Sequence, residues 1–116
     1  MEPQSRKLQT FIGADVKAPF EKWFGSLKDK TTKARIATRL DRLRLGNFGD
    51  CKSVGAGVLE LRINTGPGYR VYFGLSGSEI VLLLGGGDKS TQQKDIKLAQ
   101  TNWRIFSYGK AQNKKN

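Results

Sequence analysis

The chain has 116 residues, enough for one domain with one main core, and its 37% hydrophobic and 27% charged residues indicate a folded globule. Its net charge of +11 favours nucleic acid or the ribosome as a partner; the alternatives are a basic surface that only aids solubility or one that binds an anionic membrane. The chain lacks histidine and has one cysteine, Cys51, which excludes internal disulfides, cysteine metal cages and imidazole-based catalysis. We expect a cytoplasmic protein without a signal segment, membrane span, metal or small-molecule cofactor.

The first third of the chain predicts a strand and a helix. Residues 1–7 are polar and expected to be loose, and a short strand is expected over residues 8–12. Phe20, Trp23, Phe24 and Leu27 recur at helical spacing behind Pro19, which suits a first helical turn. These aromatic side chains are expected to pack in the core.

A second helix is predicted from Asp29, a suitable N-cap, to about Leu45, where Gly46 and Asn47 favour a stop. Its apolar stripe consists of Ile36, Leu40 and Leu43. A second stripe, turned by about 100° from the first, consists of Arg35, Arg39 and Arg42. This basic face suits phosphates or an acidic segment of a partner protein; the alternative is an ordinary solvated flank.

The middle of the chain predicts three strands in an antiparallel meander. Leu59, Leu61 and Ile63 alternate with polar residues, and the NTGPG sequence at 64–68 is typical of a turn. A second alternating strand follows over 69–73, and a turn over 76–78 leads to the apolar run 80–84. Such a run is typical of a central strand that is covered on both faces.

The polar positions of these strands form the first candidate site. If the apolar residues face the core, Arg62, Arg70 and Tyr72 lie together on one exposed sheet surface. Two guanidiniums can bind phosphate and a phenol can stack on an RNA base. The alternative is ordinary decoration of a solvated sheet.

The glycine-rich sequence GGGDKS at 85–90 follows the last strand. It lacks the spacing of a nucleotide-binding phosphate loop. We expect its glycines to allow a sharp turn that delivers Lys89 to the end of the sheet, and Asp88 to cap the next helix or to pair with Lys89.

The last helix is predicted to begin near Ser90 or Thr91, with Ile96, Ala99 and Trp103 on one buried face. From Tyr108 onward the lysine-rich sequence predicts a frayed tail. The resulting order is β-α-α-β-β-β-α in a single α+β domain, 1–116, with flexible ends at 1–7 and 108–116.

Three sequence blocks together resemble the RelE/ParE toxins, and specifically the HigB-like "addiction module killer" branch related to phage Gp49-like proteins. The blocks are RLDRL and GNFGD within 39–50, GVLELRI and GPGYRVYF within 57–73, and LLGGGDKSTQ with DI within 83–96. The resemblance spans roughly residues 8–104. It implies a RelE/ParE-like fold: an antiparallel sheet, two N-terminal helices and one C-terminal helix.

The resemblance implies a type II toxin that is neutralised by a cognate antitoxin. Relatives either cleave mRNA on the ribosome, as mRNA interferases that inhibit translation, or poison DNA gyrase in the ParE manner. In the cleaving members, the arginine of the Gly-Tyr-Arg block stabilises phosphate charge; it matches Arg70, and Lys89 and Arg62 match further basic positions. A third possibility is a basic nucleic-acid-binding module without catalysis.

The chain departs from the RelE pattern on the strand before that block. RelE toxins have two lysines there, whereas this chain has Val58 and Glu60. The last helix also lacks the family's tyrosine near Asp95 and Ile96. Lys52, at the end of the basic region that contains the second helix, is a candidate replacement for the missing lysines and a candidate RNA or antitoxin contact.

Overall fold

The computed structural model describes residues 5–114, and side chains to residue 110. Of the segment 1–7 that was expected to be loose, residues 1–4 lie outside the described residues. The expectation is wrong for Lys7, which begins the first strand, and the preceding Arg6 N donates a hydrogen bond to the Arg44 carbonyl at 2.6 Å. In chain order the elements are β1 (Lys7–Thr10), α1 (Pro19–Ser26), α2 (Lys30–Arg44), β2 (Cys51–Ser53), β3 (Leu59–Ile63), β4 (Tyr69–Ser76), β5 (Ile80–Asp88), a 3₁₀ turn (Lys89–Thr91) and α3 (Gln92–Lys114). The predicted α+β class is confirmed.

The strands form one sheet in the order β1-β5-β4-β3-β2. Strands β2 to β5 are an antiparallel meander, whereas β1 pairs parallel to β5, with Lys7 opposite Ile80. The prediction missed β2, because a strand of three residues is too short to show alternation. The sheet is therefore mixed rather than wholly antiparallel.

Helices cover both faces of the sheet. The α1 and α2 side packs Phe20, Ile36, Leu40 and Leu43 against Leu61, Ile63, Val71, Phe73, Val81 and Leu83. The α3 side packs Ala99, with Ile96, Trp103 and Phe106, against Val58, Tyr72, Leu82 and Leu84. The predicted apolar faces of all three helices are confirmed, as is the double coverage of β5.

The glycine sequence does not form the sharp turn that was expected. Residues 85–87 continue β5, which ends only at Asp88. A Cβ atom at Gly86 would overlap the Trp23 ring, and one at Gly87 would overlap the Asp95 carboxylate. These glycines therefore allow α1 and α3 to pack directly on the strand backbone.

The 3₁₀ turn that leads into helix α3 begins where β5 ends. The Asp88 carboxylate accepts hydrogen bonds from Ser90 N, at 2.8 Å, and from the Ser90 hydroxyl, which confirms its predicted capping role. The helix runs for 23 residues to Lys114, so residues 108–114 are helical and the expected tail is wrong there. Good helix formers such as Lys110 and Ala111 continue it past Tyr108. Residues 115–116 lie outside the described part.

None of the helices in the described residues is long and apolar enough to cross a membrane.

The close packing of α1 on β5 can be tested with two neighbouring glycines. We expect Gly86→Ala to lower the free energy of unfolding by about 1–3 kcal/mol, since the new methyl group displaces Trp23. Gly85→Ala is the matched control, because a Cβ there meets nothing within 4 Å. Urea unfolding of both variants measures the difference, and equal losses would contradict the packing.

Candidate functional site

The candidate site lies at one end of the sheet, where the β3–β4 turn, the end of β5 and the start of α3 meet. Arg62 on β3 is directly opposite Arg70 on β4, and Glu60 is directly opposite Tyr72. Opposed strand residues share a face, so all four side chains lie on the α3 side. Two arginines opposite one another repel unless an anion lies between them.

Glu60 supplies that anion. Its side chain is fully buried, and one carboxylate oxygen accepts a hydrogen bond from Arg62 Nε at 3.0 Å. The other oxygen accepts from the Tyr72 hydroxyl at 3.1 Å and from Gln92 Nε2 at 2.9 Å. Arg70 Nε lies 3.9 Å from the first oxygen, at ion-pair distance. One carboxylate thus joins β3, β4 and α3.

The titration behaviour of the pair follows from these contacts. Burial raises the pKa of Glu60, but hydrogen bonds from Gln92, Arg62 and Tyr72 outweigh it, so the pKa is lowered overall. Burial, and then the charge of Glu60, raise the pKa of Tyr72. At neutral pH Glu60 is therefore ionised and Tyr72 is a neutral donor.

Arg70 is the most buried cation of the site. It is 6% exposed, and its Nη1 donates to the Tyr69 carbonyl at 3.1 Å. Its Nε has no hydrogen-bond partner among the described residues. The guanidinium is therefore held beside Glu60 by charge, with the buried Nε too far from the carboxylate for a hydrogen bond.

The outer edge of this guanidinium borders Gly68 and Lys89. A Cβ atom placed on Gly68 would lie 3.5 Å from Arg70 Nη1 and 3.7 Å from Lys89 Cβ. Gly68 has φ +79°, which only glycine adopts readily, so this position stays without a side chain. Gly68 is thus close both to the Arg70 guanidinium and to the base of the exposed Lys89 side chain, and Lys89 lies at the end of the sheet, as the sequence predicted.

The expected exposed platform of Arg62, Arg70 and Tyr72 is wrong. Helix α3 covers this face, so Tyr72 is fully buried and Arg70 nearly so, while the Arg62 side chain is 30% exposed. Tyr72 therefore cannot stack on a base. Its hydroxyl instead holds Glu60, and the structure does place the two arginines together.

The α2 stripe lies on the opposite side of the sheet from this cluster. Arg35 and Arg42 are exposed and Arg39 is half-buried. Lys52 is exposed on the edge strand β2, with Glu60 as its register partner on β3. Neither the stripe nor Lys52 contacts Arg70 or Lys89 through a hydrogen bond or ion pair among the described residues.

Two residues of the site, Glu60 and Gln92, were not predicted to act there. The sequence did contain the information needed to predict them, because the predicted apolar face of α3 must cover one face of the sheet. Glu60 is on that face, and a buried carboxylate requires donors.

A groove of about 560 Å³ lies between α1 and α3, and none of the predicted site residues lines it.

The site is suited to binding a phosphate. Arg62 and Arg70 lie beside one structural carboxylate, Lys89 lies at the same end of the sheet, and guanidiniums bind phosphate oxygens through paired donors. Among the residues that the structure describes, no group of three or more Cys, Asp or Glu side chains could hold a metal ion. Fold and site together define a small basic α+β protein with a cluster of cationic side chains at one sheet end.

Comparison with known proteins agrees with this class. The profile of the family described as phage-derived protein Gp49-like matches residues 22–104, so the chain belongs to that family, a RelE-like family associated with toxin–antitoxin systems. A protein from Haemophilus influenzae without a functional name is 54% identical over 81 residues, covering 70% of this chain and 82% of the relative. No solved structure matches significantly.

Because Glu60 acts as a buried anion, replacing it should cause a loss of stability that depends on pH. Glu60→Gln should lower the free energy of unfolding by about 2 kcal/mol at neutral pH, because an amide offers a donor where two arginines also donate. The folded-state pKa of Glu60 is lowered, so its stabilisation is full above the ordinary glutamate pKa and disappears as the pH falls through the folded value. The difference between wild type and variant should therefore shrink in acid.

Urea unfolding from pH 7 to pH 3 measures this difference. Tyr72→Phe is the matched control: it removes one donor, should cost about 1 kcal/mol, and leaves the carboxylate in place. A Glu60→Gln deficit that is small at pH 7 or constant with pH would contradict the proposed charge role.

Proposed function

We propose that this protein is the toxin of a type II toxin–antitoxin system, related to the HigB-like branch, and that it cleaves mRNA on the ribosome. Translation is then inhibited until a cognate antitoxin neutralises the toxin. The observation that carries this proposal is the nearly buried Arg70 guanidinium, held beside Glu60 with its outer edge toward Gly68 and Lys89. Family membership supports the toxin–antitoxin context.

The chemistry requires no cofactor. The RNA 2′-hydroxyl attacks the adjacent phosphorus, so a bond forms between O2′ and phosphorus and the bond to O5′ breaks. The proton leaves the 2′-oxygen, and the departing 5′-oxygen gains one. Negative charge accumulates on the phosphoryl oxygens, where preorganised cationic donors lower the barrier.

Within this reaction Arg70 and Lys89 stabilise the phosphate charge. Arg62 is more exposed and is suited to bind an adjacent phosphate of the same strand. Tyr72 is a poor base because its pKa is raised, and Glu60 has both oxygens engaged by donors. We therefore propose that the protein aligns the RNA and stabilises the phosphate charge, and that the ribosome shapes the RNA for in-line attack.

Arg70 provides the sharpest test of this proposal. Arg70→Ala should slow single-turnover cleavage of mRNA in programmed ribosomes by about 10²–10³, with ribosome association nearly unchanged. Arg70→Lys keeps the charge but loses the paired donors, and should recover only part of the rate. Arg104→Ala, which removes an exposed arginine from α3, is the control and should cleave at the wild-type rate.

Urea unfolding of each variant separates a loss of chemistry from a loss of folding. Cleavage at the wild-type rate by folded, saturated Arg70→Ala would remove Arg70 from the mechanism. If the wild type cuts no mRNA but traps gyrase on DNA, it is a ParE-like inhibitor. If its expression does not arrest bacterial growth, the chain is a non-toxic binding module.

A further inference from the structure

A second cationic feature lies on the other side of the sheet and is not explained by RNA cleavage. It is a groove of about 460 Å³ between α2 and the β3–β4 turn. Its walls are Thr31, Ala34, Arg35, Thr38, Arg39, Arg42, Ile63, Asn64 and Thr65. The three arginines of the predicted basic stripe therefore converge on one concave surface.

Two of these arginines are held in place by the neighbouring turn and strand. Arg35 Nη1 donates to the Thr65 hydroxyl at 2.8 Å, and Arg39 Nη1 donates to the Arg62 carbonyl at 2.8 Å. Each guanidinium is thus oriented while other donors remain. Arg39 Nη2 is inaccessible to solvent and lies near Gly49, so a ligand in the groove does not reach this atom. The accessible donors of the groove are those of the exposed Arg35 and Arg42 side chains.

The groove walls carry an excess of positive charge. The lining residues include no Asp or Glu. Nearby, Asp29 interacts electrostatically with Arg35, Asp50 accepts a hydrogen bond from Asn64 at 3.4 Å, and Asp41 pairs with Arg44 at 2.8 Å. Three guanidiniums face one groove with no carboxylate in its walls, so an anionic ligand would stabilise the arrangement. The ligand must therefore bring several negative charges.

The lining favours an acidic peptide over RNA. Single-stranded RNA is usually held by bases stacked on aromatic rings, and none of the lining residues is aromatic. The hydroxyl and amide groups of Thr31, Thr38 and Asn64 can hydrogen-bond a peptide backbone, and Ala34 and Ile63 offer a small apolar floor. Arginine binds carboxylates through two parallel donors.

We propose that this groove binds an Asp- and Glu-rich segment of the antitoxin, an assignment that rests on the proposed toxin function. Carboxylates of the segment contact the exposed guanidiniums of Arg35 and Arg42, and Arg39 adds positive charge to the groove wall. The groove is separate from the Arg70 and Lys89 site, so docking here anchors the antitoxin independently of any contact that it makes at the proposed catalytic site.

The test uses a fluorescent eight-residue oligoglutamate peptide as the probe, and a labelled single-stranded RNA of similar charge for comparison. The groove variant carries Arg35→Gln, Arg39→Gln and Arg42→Gln. The matched control carries Lys94→Gln, Lys97→Gln and Arg104→Gln, three exposed cations of α3, so both variants lose the same charge. Fluorescence anisotropy gives dissociation constants, and urea unfolding verifies that both variants fold.

We expect the groove variant to bind the peptide at least about tenfold more weakly, while the control loses no more than about threefold. Equal losses in both variants would show that only net charge attracts the peptide and would overturn the proposal. RNA binding that depends on the groove while peptide binding does not would reassign the groove to nucleic acid. Because the assay needs no cleavage, failure of the toxin function would not affect its result.

Discussion

The buried carboxylate of Glu60 is the interaction on which the sheet end depends. Removing a carboxylate from water is costly unless donors replace its hydration. Here donors come from β3, from β4 and from α3, through Arg62, Tyr72 and Gln92. The contacts that stabilise the Glu60 carboxylate therefore also hold α3 on the sheet and orient Arg62 and Arg70 on their strands.

This arrangement separates two kinds of positive charge. Arg62 and Arg70 are held side by side by a structural anion, and in the proposed reaction this preorganises them for the phosphate. The α2 arginines are oriented by a threonine hydroxyl and a backbone carbonyl, and no carboxylate lines their groove. The basic residues behind the net charge of +11 thus include two separate arginine groups on opposite faces of the sheet.

Much of the fold could be predicted from the sequence, because the helices and long strands have clear periodicity and Asp29 and Asp88 cap as expected. The prediction failed where tertiary contacts decide the outcome. Alternation placed Tyr72 on the side of the sheet away from the first core, but only the packing of α3 shows that this side is a second core. The glycines of β5 predicted a turn, because the sequence does not show that Trp23 and Asp95 pack directly over them.

The most direct test of the central claim is an NMR titration of the arginine side chains with an RNA trinucleotide that carries a 2′-deoxy group at its cleavage position. In the wild type we expect the Arg70 Nε–H signal to be protected from exchange and to shift on binding, with Arg104 unchanged as the exposed reference. In Glu60→Gln the protection and the shift should both be lost. An Arg70 signal that stays fixed while the RNA saturates the protein would contradict the account.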